Sequence, residues 1–173
     1  MTIREARFAE DGAGILTLDT RFTTETVFDV ETDGEGFVLR ERRLDKPLTK
    51  RLPLDDLTAS GRSWSHAFVS DEGKLSGFAA AGFAPWNKRL TLWHLYVRPD
   101  RRRAGIGRAL VDRVAALGGE LGARHLWLET SNVNPPAVAA YRAMGFALTG
   151  VDLTLYDRTP AEGEVALFMS RRL

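Results

Sequence analysis

Arg98-Pro99-Asp100-Arg101-Arg102-Arg103-Ala104-Gly105-Ile106-Gly107-Arg108 is the stretch from which the rest of the chain can be read. Before it, residues 89–97 form a strand-like run. After it, Ile106, Leu110, Val114, Leu117 and Leu121 recur at helical spacing. The unit is a strand, a glycine loop and a helix. A helix N-terminus offers unpaired N–H groups and the positive end of the dipole, so with glycine at its edge it suits a phosphate. The arginines add positive charge at that point. The P-loop pattern of Gly, four residues, then Gly-Lys-Ser/Thr is absent, which leaves nucleoside triphosphate hydrolysis without support. The dinucleotide pattern starts at Gly105 and Gly107 and fails at Leu110, although Glu129 lies at a tolerable distance for a ribose contact.

Upstream of the loop, residues 64–69 and 75–83 read as strands joined by a turn at Asp71-Glu72-Gly73-Lys74. Gly118-Gly119 weakens the central helix by roughly 1 kcal/mol per glycine, so a kink or end is expected there, with Gly122 as the alternative stop. Residues 124–130 form a strand with Leu126 and Leu128 on one face. Asn134 is placed as an N-cap before Pro135, and Ala137, Ala140, Tyr141 and Met144 make the buried stripe of a short helix closed by Gly145. Two strands, 146–156 and 165–171, finish the chain. At the other end, a short helix is expected over 9–19. In 20–57 only a turn at Gly34-Glu35-Gly36 and a strand at 37–40 are legible, with Pro47 and Pro53 expected to interrupt regular structure beyond that strand.

Composition narrows the chemistry. At 173 residues the chain fits one domain, 1–173, and one site. With 24 Lys plus Arg against 23 Asp plus Glu, the net charge is +1, without the global excess of a nucleic-acid binder. Cysteine is absent, which excludes thiol nucleophiles and thiolate metal sites. His66, His94 and His125 lie far apart with no His-Glu-x-x-His pattern, so no metal is expected. No apolar run approaches a membrane span and the N-terminus lacks a leader-like core, so a cytoplasmic location is expected.

Arg102-Arg103-Ala104-Gly105-Ile106-Gly107 resembles the Arg/Gln-x-x-Gly-x-Gly/Ala signature of the GNAT N-acetyltransferase superfamily. Asn134 and Tyr141, seven apart and closing on Gly145-Phe146, resemble its second signature. The match runs over residues 91–146. Within the superfamily, Leu128-Glu129-Thr130, the run from Val151 to Tyr156, and the stretch from Leu18 to Thr24 are similar to streptothricin acetyltransferases. The resemblance implies an α/β fold whose mixed, twisted, mostly antiparallel sheet is flanked by helices and splayed at the cofactor site. It also implies acetyl-CoA as cosubstrate, held by Arg102, Arg103, Ala104, Gly105, Ile106, Gly107 and Arg108. Leu95, Tyr96 and Val97 pair with the pantetheine arm, Asn134 contacts it, and Tyr141 protonates the departing sulfur. Where such enzymes often carry an acidic residue this chain has Trp93-His94, so Glu129 and His94 are both candidate bases. The implied partner is a small cationic amine, attracted by Asp29, Glu31, Asp33, Glu35, Asp152 and Asp157, with a homodimer allowed and no nucleic acid or membrane. The alternatives are acetylation of a protein N-terminus or lysine, and an acyl-CoA-binding regulatory domain without turnover.

Overall fold

The helix expected after Gly105 forms over Ile106–Glu120, and Gly118-Gly119 neither kinks nor ends it. Gly118 is buried where a Cβ would collide with Leu173 and crowd Leu90, so close packing against that face offsets its poor helix propensity. The helix stops at Leu121, and Gly122 follows with φ +71°, the left-handed conformation that ends many helices.

The computed structural model describes residues 1–57 and 62–173. Its elements in chain order are β1 (Thr2–Glu5), α1 (Phe8–Leu16), β2 (Arg21–Asp33), β3 (Gly36–Arg51), β4 (His66–Asp71), β5 (Leu75–Ala84), β6 (Arg89–Val97), α2 (Ile106–Glu120), β7 (His125–Ser131), α3 (Pro135–Ala143), β8 (Ala147–Asp152) and β9 (Ala166–Arg172). The fold is mixed α/β with mostly antiparallel strands. The chain divides into two compact units. The first holds Met1–Arg21, Arg51–Trp127 and Arg172–Leu173, and the second holds Phe22–Lys50 and Leu128–Arg171.

In the first unit the strand order is β1-β4-β5-β6-β7, antiparallel except for the parallel β6–β7 pair. β5, Leu-Ser-Gly-Phe-Ala-Ala-Ala-Gly-Phe-Ala, is buried over most of its length because small residues let a helix approach each face. Phe78 and Ala80 pack with Ile15, Leu18 and Trp64 on the α1 side. Gly77 abuts Ile106 and Leu110 of α2 on the other. The β5–β6 register slips between Ala80 and Ala81: His94 pairs with Ala80 and Leu92 with Ala81, leaving Trp93 as an extra residue. That bulge turns His94 and Tyr96 toward the α1 side, with Phe78 and Ala80.

One corner of this unit is pinned by charge. The Arg4 guanidinium donates to both oxygens of Asp11, at 2.8 Å each, and to Asp71 at 2.9 Å, while Asp11 also accepts the Arg7 N–H at 2.7 Å. The Arg4 hydrogen bond holds the buried Asp11 carboxyl below the ordinary aspartate value of 3.8, against the opposing effect of burial. A depressed carboxyl stabilises the fold above its ordinary value and loses that contribution as pH falls through the folded one. Asp11→Asn is therefore expected to cost about 3 kcal/mol near neutrality, roughly 6–12 °C in Tm. The gap from wild type should narrow below about pH 4. A gap that stays constant into acid would refute the assignment.

In the second unit, β2 and β3 form a two-stranded ribbon through most of the segment that was least legible in the sequence. Pro47 does not interrupt it. A two-stranded ribbon consists of edge strands, where a missing N–H can face solvent, and Pro47 is exposed within β3. Asn132 ties β2 to the turn after β7, accepting the Phe28 N–H on its carbonyl at 2.9 Å and donating its amide to the Phe28 carbonyl at 2.8 Å. β8 pairs antiparallel with β9 and ends at Asp152, earlier than the expected 156. The Asp152 side chain accepts the Thr154 and Leu155 N–H groups and turns the chain.

Candidate active site

The first unit carries the arginine–glycine loop. Pro99–Arg101 makes a single 3₁₀ turn, Arg102 is extended, Arg103 sits at φ +63° and Gly105 at φ +83°, whereupon α2 begins. Gly105 occupies the N-cap position and no side chain caps the helix; the first turn holds no acidic residue. Arg102, Arg103, Ala104, Gly105 and Arg108 are exposed, while Ile106 is buried and anchors the first turn. Several arginines are engaged internally: Arg98 with Asp100 at 2.7 Å, Arg101 with Glu72, and Arg102 with the carbonyls of Val97 and Arg21. Arg102 thus ties the loop to the end of β6.

Gly107 tests what this loop fits. A Cβ there would find only Val97 Cγ2, at an ordinary 3.7 Å, and its backbone is not left-handed. The protein's own packing therefore does not require glycine, which costs a helix about 1 kcal/mol relative to alanine. An anion approaching the bare amides closely does require it. The residues present fit a diphosphate.

β6 leads into this loop. Its parallel ladder with β7 pairs Arg89, Leu90 and Thr91 with His125, Leu126 and Trp127, and β6 continues through 92–97. Leu95, Tyr96 and Val97 are half-buried and pair on the other side with Ala79, Phe78 and Gly77. His94 is 8% exposed. Its Nε2 lies 2.7 Å from Asp56 Oδ2 and its Nδ1 3.1 Å from the Tyr96 hydroxyl. The Trp64 indole N–H donates to the same Asp56 oxygen at 2.9 Å, and the Tyr96 hydroxyl also donates toward the Pro53 carbonyl at 3.3 Å. Burial raises the Asp56 carboxyl, but the His94 and Trp64 hydrogen bonds outweigh it and leave the group below its ordinary value.

The second unit holds the other candidates. Asn134 is buried and its side chain caps α3 by accepting the Ala137 N–H at 3.2 Å. Tyr141 packs its ring edge-on against Phe146, centroids 5.7 Å apart, and burial pushes its phenol up to about 12. Glu129 is exposed and accepts the Tyr156 hydroxyl. Burial, then Glu129 and the charge of Glu164, push the Tyr156 phenol far above its ordinary range. Glu164 in turn accepts Ser131 Oγ at 2.6 Å and pairs with Lys50.

Two groups of carboxylates depart from the sequence reading. Asp29 and Glu31 are paired with Arg42 and Arg40 along the ribbon, at 2.7 and 2.8 Å, and Asp152 is consumed by its turn, so these three are not bare attractors for a cation. Asp56 and Tyr156, which the sequence reading did not name as site residues, hydrogen-bond the candidate bases His94 and Glu129. Asp56 stands 38 positions from His94 and Tyr156 27 from Glu129, so no local spacing marks either pair. Among the described residues, no group of His, Asp and Glu is arranged to hold a metal ion, and no helix is long and apolar enough to cross a membrane.

Comparison with known proteins gives consistent results. A family model described as the acetyltransferase (GNAT) family matches residues 26–146. Streptothricin acetyltransferase of Streptomyces lavendulae is 47% identical over 169 residues, covering 92% of this chain and 89% of that protein. The crystal structure of nourseothricin acetyltransferase superposes with a TM-score of 0.88 at 45% identity, covering 99% of this chain and 97% of that one. A Bacillus anthracis protein crystallised in complex with acetyl coenzyme A shares the fold, with a TM-score of 0.82, 18% identity and 99% of each chain covered. Signature residues, fold and relatives agree, and the chain belongs to the GNAT family of acetyltransferases.

Proposed function

We propose that this enzyme acetylates a primary amine of a small, cationic, streptothricin-like molecule, with acetyl-CoA as donor, in the cytoplasm and without a metal. The observation that carries the cofactor half is the uncapped α2 N-terminus, with a glycine at position 107 that packing does not require. The substrate half is supported by two relatives above 40% identity, along most of the chain, that act on this class of compound by name.

When bound, acetyl-CoA supplies an activated thioester. The first-turn amides of α2, with the loop from Arg102 to Arg108, hold its diphosphate by hydrogen bonds and the helix dipole. Backbone groups of Leu95, Tyr96 and Val97 align the pantetheine arm as an added strand would. Asn134 spends its side-chain oxygen on α3 and keeps its amide N–H groups for the arm. Tyr141, protonated throughout the neutral range, gives its proton to the departing sulfur. Removal of the amine proton falls to Glu129 or His94. Glu129, exposed, also attracts the ammonium group.

The test is release of free thiol from acetyl-CoA with streptothricin, polyamines, lysine and N-terminal peptides at low and high salt. Streptothricin-type amines should react, and their KM should rise several-fold between roughly 50 mM and 500 mM salt as carboxylate attraction is screened. Turnover of peptides alone would instead mark a protein acetyltransferase, and no thiol release with any amine would mark a binding domain.

A further inference from the structure

In the second unit, Glu129 and Glu164 each accept a hydroxyl, and their charges are handled differently. Glu164 accepts Ser131 Oγ at 2.6 Å and is neutralised by Lys50. Glu129 is exposed, and its Oε1 accepts the Tyr156 hydroxyl. That donor is neutral, and among the described residues no Lys or Arg forms an ion pair with Glu129. We propose that Tyr156 is a positioning residue for the acceptor, clamping Glu129 so that its second carboxylate oxygen is presented to the substrate's ammonium group. This rests on the acetyltransferase reading above and names the residue that sets how its acceptor is recognised.

The geometry of β7 and the chemistry of the pair support it. Leu126 and Leu128 are buried on one face of β7, so Glu129 and Ser131 share the opposite one. An exposed glutamate samples several rotamers, and a ligand that captures it must supply the lost side-chain entropy. A hydrogen bond already made by the protein reduces that cost. Burial first, then the hydrogen bond and charge of Glu129, keep the Tyr156 phenol far above its ordinary range. The proton therefore stays on Tyr156, and the bond always runs from the phenol to the carboxylate. With Oε1 so engaged, Oε2 is left to a second donor.

The loop that carries Tyr156 is tied down without this bond. At its start, Asp152 accepts the Thr154 N–H at 2.8 Å and the Leu155 N–H at 3.0 Å. The Tyr156 carbonyl accepts the Thr159 N–H at 3.0 Å and its hydroxyl at 2.7 Å. At the far end, Asn132 Oδ1 accepts the Val165 N–H at 2.8 Å, and the Asn132 N–H donates to the Val165 carbonyl at 2.9 Å. Backbone and turn hydrogen bonds thus brace the segment from Asp152 to Val165. What the Tyr156 hydroxyl adds is the fixing of one exposed carboxylate.

The experiment is a double-mutant cycle on Tyr156→Phe and Glu129→Gln, reading kcat/KM for streptothricin and KM for acetyl-CoA at low and high salt, with thermal melts. Tyr156→Phe should lower the acceptor kcat/KM by roughly 3- to 10-fold, with Tm and the acetyl-CoA KM near wild type. Its salt dependence should persist, because the Glu129 charge remains. Glu129→Gln should lower the acceptor kcat/KM by roughly 10- to 100-fold and flatten the salt dependence. A residue that acts through Glu129 has nothing left to position once the carboxylate is gone, so the double variant should lie within about twofold of Glu129→Gln. Losses that multiply would place Tyr156 on the substrate itself, and a Tyr156→Phe loss shared by Tm and the acetyl-CoA KM would make the bond structural; either overturns the clamp. Glu129→Asp decides the matter if Tyr156→Phe folds poorly, since it keeps the charge and withdraws the carboxylate from Tyr156 by one methylene. It should lose acceptor efficiency while keeping its salt dependence, and wild-type efficiency there refutes the proposal. A Tyr156→Phe enzyme with wild-type acceptor efficiency overturns the clamp and leaves acetyl transfer intact, whereas a wild type that transfers acetyl to no amine overturns both.

Discussion

Tyr141→Phe is expected to lower kcat by roughly 10²- to 10⁴-fold, the scale of a lost general acid, while Tm and acetyl-CoA affinity stay near wild type. The substitution removes one oxygen and leaves the ring, and it is the ring that packs, edge-on against Phe146. The surroundings act on the hydroxyl chiefly by desolvation, which pushes the phenol up to about 12. A group so placed stays protonated through the neutral and mildly alkaline range, as a proton donor to a thiolate must. Wild-type kcat should accordingly show no alkaline loss attributable to Tyr141 below about pH 11. Steady-state kinetics over pH, with thermal melts of both proteins, checks each part. A kcat within a factor of two of wild type would reduce Tyr141 to a core residue, and a matching fall in Tm would assign the loss to folding.

What the sequence disclosed and what it hid divide along physical lines. The α2 start was legible because its determinants are local: glycines at 105 and 107, then Leu110, Val114 and Leu117 over the next three turns. Asn134 before Pro135 was legible for the same reason, and its cap forms as read. The ribbon of β2 and β3 was not legible, because Pro47 and a largely exposed, charged β3 satisfy no burial pattern, and pairing between the two strands holds the segment extended. The bulge at Trp93 is a property of register with β5, invisible in β6 alone. His94 could be named as a titratable residue, but its partner Asp56 comes from a segment read only as broken by prolines, and the contact is made by folding. Candidate residues could thus be named where a backbone motif announces them. The groups that orient those residues could not.

Gly107→Val should abolish acetyl-CoA binding without unfolding the protein, and the contrast with its neighbour makes the test specific. At Gly105 the backbone is left-handed, so any side chain strains the loop and loss of binding would have two causes. At Gly107 the backbone is not left-handed, and an added Cβ meets Val97 at 3.7 Å, ordinary contact. Valine is also a somewhat better helix former than glycine, so the free variant should melt within about 2 °C of wild type. The new methyl groups would occupy the space through which a diphosphate reaches the α2 amides. For the wild type at a hundred times its Kd, bound acetyl-CoA should add about 2.7 kcal/mol, roughly 5–10 °C in Tm. The valine variant should show no measurable shift at the same concentration, and Gly107→Ala, with one methyl instead of three carbons, should fall between them. A full wild-type shift in Gly107→Val would place the diphosphate elsewhere, and a shift with NAD in its stead would return the loop to the dinucleotide reading.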